Sequence, residues 1–183
     1  NGKDSTARDI AKPYIPASAR HLVIDMPMRV EREPGERAYD SGAAAIATEL
    51  DRGHDVVMLC EGDPFFYGSF MHLHSRLQGR AEVEVVPGIT GMSGCWTATG
   101  IPITWGDDVL TVLMATLPED ALEARARDAD ALVVMKIGRN LPKLRRALAK
   151  AGRLGAAWLI ERGTMEGQRV QLLTEAQEVA PYF

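Results

Sequence analysis

Cysteine is scarce in this chain. There are two in 183 residues, Cys60 and Cys95, each among apolar or small neighbours. They read as buried free thiols of a reducing, cytoplasmic setting rather than as a disulfide framework. Neither cysteine combines with any of the four histidines at zinc-type spacing, so no protein-bound metal is expected. His72 and His74 are two apart, and on a helix they point in different directions. No apolar run approaches the ~20 residues that span a bilayer, so no membrane is expected. The formal net charge is only -4 with acids and bases interspersed, which gives no electrostatic footprint for nucleic acid. There is no phosphate loop, no GxGxxG and no GxSxG elbow, and no Ser/His/Asp set stands out by spacing. Repeats and low-complexity tracts are missing as well. No signal peptide is read, and because the chain opens at Asn1 rather than Met, its true N-terminus is left open.

What is present is an alternation. Hydrophobic residues make up 46% of the chain, enough to build a sizeable core. Short apolar runs at residues 21–26, 56–60, 83–86, 110–114, 131–135 and 156–160 read as strands, with another at 168–173. Residues 41–52 read as a helix closed by Gly53, and 70–77 as a helix ended by Gly79. Residues 91–99 form a small-residue helix, and 118–127 and 142–151 read as amphipathic helices with apolar residues at i, i+4. Residues 27–40, rich in charge, Pro and Gly, read as a loop. This β–α order predicts an α/β fold with a parallel or mixed sheet. A change of unit near residue 106 divides it into an N-terminal α/β domain, 1–106, and a C-terminal α/β domain, 107–183.

Three turns follow apolar strands: Gly62-Asp63-Pro64, Pro87-Gly88-Ile89-Thr90 and Lys136-Ile137-Gly138. In open α/β sheets ligands bind outside the carboxyl ends of strands, so turns after different strands can converge on one small molecule. Glycine lets backbone approach a ligand closely, and Pro64 fixes its turn. The aromatics Phe65, Phe66 and Tyr67 suit a flat or cationic partner. Asp63 also has a plain role open to it, capping the turn through its own backbone.

The strings EGDPFFYGSFMHLHSRL and EVVPGITGMSGCWTATGIPI resemble the tetrapyrrole (corrin/porphyrin) methyltransferase family. VVMKIGRNLPKLR and ERGTMEGQRV resemble, within it, the precorrin-2 C20-methyltransferase group of cobalamin biosynthesis. The resemblance covers nearly the whole chain. The family's opening strand with its Gly-rich turn, and a final strand, have no counterpart here, so the chain reads as one strand short at each end.

The resemblance implies two α/β domains with an inter-domain cleft, a homodimer, and S-adenosylmethionine as methyl donor. Carried over by position, Gly62, Asp63 and Pro64 would line the methionine part of the donor, with Phe66, Tyr67 and Thr90 beside it. Met135 and Lys136 would flank the adenosine, Ala115 and Thr116 would stand at a strand end, and Arg162, Thr164 and Gln168 would lie near the adenine. The implied acceptor is a tetrapyrrole, precorrin-2 or cobalt-factor II. Its carboxylates suit Arg29, Lys136 and Arg139, since guanidinium and ammonium groups hold such anions. Arg32 and Arg37 share the charged stretch of Arg29, where Glu31, Glu33 and Glu36 offer them local partners. Methyl transfer needs in-line geometry more than acid–base groups, and no general base is assigned. Two rival readings stay open: another methyltransferase of the superfamily (a different corrin carbon, diphthine or ribosomal RNA), and a non-catalytic tetrapyrrole-binding protein.

Overall fold

The computed structural model describes residues 5–26 and 32–177, the side chain of Arg32 excepted. Contacts divide the chain into two compact units, Asn1–Thr90 and Gly91–Phe183. The division falls before the small-residue helix, whereas the composition change lies near residue 106.

In the first unit, α1 (Thr6–Ala11) starts at Ser5, whose hydroxyl accepts the Arg8 N–H at 3.3 Å. Helix α2 (Arg32–Asp51) begins well before the helix expected from residue 41. Pro34 and Gly35 made this stretch look like a loop, but Pro34 lies in the first turn, where a missing N–H has no intrahelical partner to lose. Arg37 pairs with Glu33 one turn back, the local partner its charged neighbourhood offered. Helix α3 (Phe70–Leu77) matches its expected span. Ala43, Ile46 and Leu73 form a small core with Ile24, Tyr39, Leu50, Met58 and Leu77 around it. At its edge Tyr39 stacks on His72 with centroids 4.3 Å apart, and Arg76 lies over the Tyr39 ring while pairing with Asp40 at 2.7 Å. Gly42 lets the extended stretch 21–26 lie on α2, because a Cβ there would sit 2.8 Å from Cδ1 of Ile24.

The expected strands 21–26, 56–60 and 83–86 are not strands among the described residues: these stretches carry no ladder. An apolar run signals burial, whereas a strand also needs a neighbour ≈ 4.8 Å away to exchange N–H and C=O bonds. No described segment supplies that neighbour, and Val57 and Val86 remain 83% and 73% exposed.

The second unit opens with α4 (Gly91–Ala98). Strands β1 (Leu110–Met114) and β2 (Ala131–Met135) pair in parallel with Leu113 opposite Val134, and α5 (Glu119–Asp128) makes the crossover that parallel pairing requires. Both strands and α5 occupy their expected places to within a residue. Helix α6 (Leu141–Lys150) packs on α5, and Leu113, Leu122, Leu141, Leu144 and Leu148 meet in one core. Glu119 at the start of α5 receives Arg146 at 2.8 Å and Lys150 at 2.9 Å, tying the two helices together. Strands β3 (Trp158–Glu161) and β4 (Arg169–Leu172) form an antiparallel pair whose Leu159 joins the same core. Among the described residues no helix is long and apolar enough to cross a membrane.

Candidate functional site: the strand-end turns

In the first unit two turns are welded together. Gly62 takes φ 73°, a left-handed conformation that suits glycine. The Oδ1 of Asp63 accepts the Phe65 N–H at 2.9 Å, and its backbone oxygen accepts the Phe66 N–H at 3.1 Å. Its Oδ2 accepts the N–H of Gly88 at 3.0 Å, 25 residues further along the chain. Gly88 lies so close that a Cβ on it would fall 2.2 Å from the Gly62 carbonyl oxygen. Gly62, Asp63 and Pro64 are therefore brought together with the Pro87-to-Thr90 turn.

The aromatics extend from this junction. Phe65 meets His74 edge-on with centroids at 5.1 Å and Phe70 at 5.6 Å, while Phe66 and Tyr67 meet nearly at right angles at 4.9 Å. Phe65 and Tyr67 stay 49% and 43% exposed, and Tyr67 sits at φ 54°. His72 and His74 take ring contacts on α3, in keeping with helix-face residues.

In the second unit the carboxyl ends of β1 and β2 lie side by side, Met114 opposite Met135. Ala115 is fully buried and donates its N–H to the Met135 oxygen at 2.9 Å, which sets Thr116 at the surface. Lys136 leaves β2 at φ 57° and is exposed. Ala115, Thr116, Met135 and Lys136 thus form one strand-end edge.

The loop between β3 and β4 holds the remaining residues. Arg162 and Thr164 have φ 52° and 64°. Oε1 of Gln168 accepts the Thr164 N–H at 2.6 Å, and the Met165 N–H closes on the Arg162 oxygen at 2.9 Å. Helix α4 backs this loop. A Cβ on Gly163 would lie 2.8 Å from Sγ of Cys95, and one on Gly94 would lie 3.1 Å from Cγ2 of Thr164. Burial pushes the Cys95 thiol up from its ordinary value, with a hydrogen bond to the Gly163 backbone opposing it; burial pushes Cys60 up as well. Both cysteines are free thiols, as their neighbourhoods indicated, but they are half-buried rather than buried.

Of the acceptor candidates, Lys136 stands at the strand-end edge and Arg139 is exposed in the short 3-10 turn Gly138–Asn140. Arg29 lies outside the described residues. Sequence reasoning named Gly88 only as part of its turn and Cys95 only as a free thiol, and it passed over Gly94 and Gly163. The signal for Gly94 and Cys95 was the run of small residues GMSGC, which packs closely where it meets backbone.

The chain is 45% identical over 191 residues to a protein named Precorrin-2 C(20)-methyltransferase from Sinorhizobium sp, covering all of this chain and 78% of that one. It is 43% identical to Cobalamin biosynthesis protein CobIJ of Mycobacterium tuberculosis, over 98% of this chain but only 37% of that longer protein. The fold is similar to the crystal structure of the methyltransferase CobJ, with a TM-score of 0.58 and 22% identity over 75% of this chain and 65% of that one. A profile of the Tetrapyrrole (Corrin/Porphyrin) Methylases matches residues 1–179, and the chain belongs to that family.

Proposed function

We propose that this chain is an S-adenosylmethionine-dependent methyltransferase that methylates precorrin-2 or cobalt-factor II at C20 in cobalamin biosynthesis. The names of its relatives support the acceptor and the pathway. One observation supports the assignment of the donor residues. Among the described residues four non-glycine side chains have left-handed backbone: Tyr67, Lys136, Arg162 and Thr164. All four belong to the set assigned to the donor from the sequence. Such conformations cost of order 1–3 kcal/mol each, persist only where surroundings over-determine them, and cluster at ligand sites.

The residues present fit such a donor. S-adenosylmethionine supplies an electrophilic methyl on a sulfonium, a cation carried between an amino acid and an adenosine. The partly exposed rings of Phe65 and Tyr67 offer aromatic faces to a cation. Gly62, Asp63, Pro64, Phe66 and Thr90 frame the amino-acid end. Ala115, Thr116, Met135, Lys136, Arg162, Thr164 and Gln168 take the adenosine. Lys136, Arg139 and Arg29 hold acceptor carboxylates, and Lys136 serves both partners. The work of the chain is positioning, which can contribute on the order of 7–11 kcal/mol to a transfer reaction. We further read the enzyme as a cytoplasmic homodimer, testable by sedimentation.

The experiment is incubation with labelled donor and either precorrin-2 or cobalt-factor II, read by product mass. Addition of one methyl to either supports the reading, and no addition to both overturns it.

A further inference from the structure

We infer that Asp63 is a positioning residue. It fixes the donor turn by binding backbone of the neighbouring turn, and it does not bind the donor through its carboxylate. This rests on the donor reading above. The two carboxylate oxygens are divided between two amides: Oδ1 takes the Phe65 N–H at 2.9 Å and Oδ2 takes the Gly88 N–H at 3.0 Å. The first bond is local and builds an Asx turn. The second spans 25 residues and has no local purpose. It draws the Pro87-to-Thr90 turn onto Gly62, to a separation that leaves no room for any side chain at Gly88. The carboxylate and the missing Cβ are two halves of one joint. With the joint closed, the left-handed Gly62 and the Phe66 N–H, bonded to the Asp63 backbone oxygen at 3.1 Å, are held in place. The donor then meets a preformed wall of backbone, and what specifies that wall is a bond between protein groups.

A carboxylate at this position invites the opposite assignment, an ion pair with the amino group of the donor. The two roles separate by substitution. Asp63→Asn keeps an oxygen for Phe65 and turns an N–H toward the Gly88 N–H, so it breaks only the joint. Gly88→Ala leaves the carboxylate untouched and opens the same joint sterically. The probe is S-adenosylhomocysteine, titrated calorimetrically into the full chain and both variants. Each variant is expected to weaken binding by about tenfold, the effect of losing one charge-assisted hydrogen bond. The double variant is expected to be no weaker than the worse single, because both changes remove one interaction. Multiplying effects, or an unaffected Gly88→Ala, would overturn the inference in favour of direct contact.

Amide hydrogen exchange supplies a readout independent of any ligand. In Asp63→Asn the Gly88 amide should exchange faster while the Phe65 amide keeps its protection. Unchanged exchange at Gly88 refutes the joint. If the unmodified chain fails to bind S-adenosylhomocysteine, the donor reading falls, and the exchange result still decides whether the joint exists.

Discussion

Thr164, in left-handed backbone, donates its N–H to Oε1 of Gln168 at 2.6 Å, so a loop residue four positions away holds the conformation of the loop. Gln168 has the same relation to its turn that Asp63 has to the first unit. A side chain assigned to the donor from the sequence spends its acceptor on backbone. Gln168→Ala should therefore weaken S-adenosylhomocysteine binding by about three- to tenfold, the worth of one net hydrogen bond. Gln168→Glu keeps an acceptor and should retain most of the affinity. Equal losses in the two variants, read by calorimetry, would mean that Gln168 acts through its amide N–H2 instead.

Behind that loop Gly163 rests on Cys95. A methyl group on residue 163 would come within 2.8 Å of Sγ and 3.1 Å of Cα. Gly163→Ala should cost about 1–3 kcal/mol by overpacking, seen in denaturant unfolding. Cys95→Ala in the same chain should recover part of that loss by removing the sulfur, and the backbone clash should keep the rest. Full recovery would show that only the sulfur is in the way.

Glu119 predicts a pH dependence. Hydrogen bonds from Lys150 and then Arg146 hold its carboxyl below the ordinary glutamate value of 4.5. A depressed folded value means that the pair contributes stability above the unfolded value and loses it as pH falls through the folded one. The Tm of Glu119→Gln should lie below that of the unmodified chain at neutral pH, and the gap should close in acid. Because Glu119 is only half-buried and its partners Arg146 and Lys150 are exposed, added salt should narrow the gap as well. A gap that persists in acid and in high salt would assign the effect to packing of α5 on α6.

Legibility followed the chemistry of each segment. Strands β1 and β2 were readable because each is a five-residue run, apolar throughout except for Thr111, between clear turns, and finds its partner one crossover away. Helix α3 was readable because Phe70, Leu73, His74 and Leu77 recur at helical spacing. The runs 21–26, 56–60 and 83–86 carry the same apolar signal, but a ladder depends on a neighbour that a local pattern cannot specify. The start of α2 was hidden by Pro34 and Gly35, whose usual meaning reverses in a first helical turn. At the site, residue types pointed to the turns that contain Asp63 and Gln168, while the work done by these two side chains depends on which backbone amide each reaches. That is set by Gly88, 25 residues from Asp63, and by the left-handed Thr164.

The contrast between the two units gives a last prediction. Leu122 on α5 is 1% exposed and packs among leucines of α6 and β1, whereas Val57 in the first unit is 83% exposed despite lying in an equally apolar run. Truncating a side chain costs the lost transfer energy plus the cavity left behind, and a site that is already open leaves no cavity. Leu122→Ala should destabilise by about 2–5 kcal/mol in denaturant unfolding. Val57→Ala should stay within about 0.5 kcal/mol, as exposed substitutions do. The pair of measurements tests burial rather than hydrophobicity, since both residues are apolar. A loss at Val57 comparable to that at Leu122 would place the 54–60 run inside a packed sheet and overturn the ladder-free arrangement described for it.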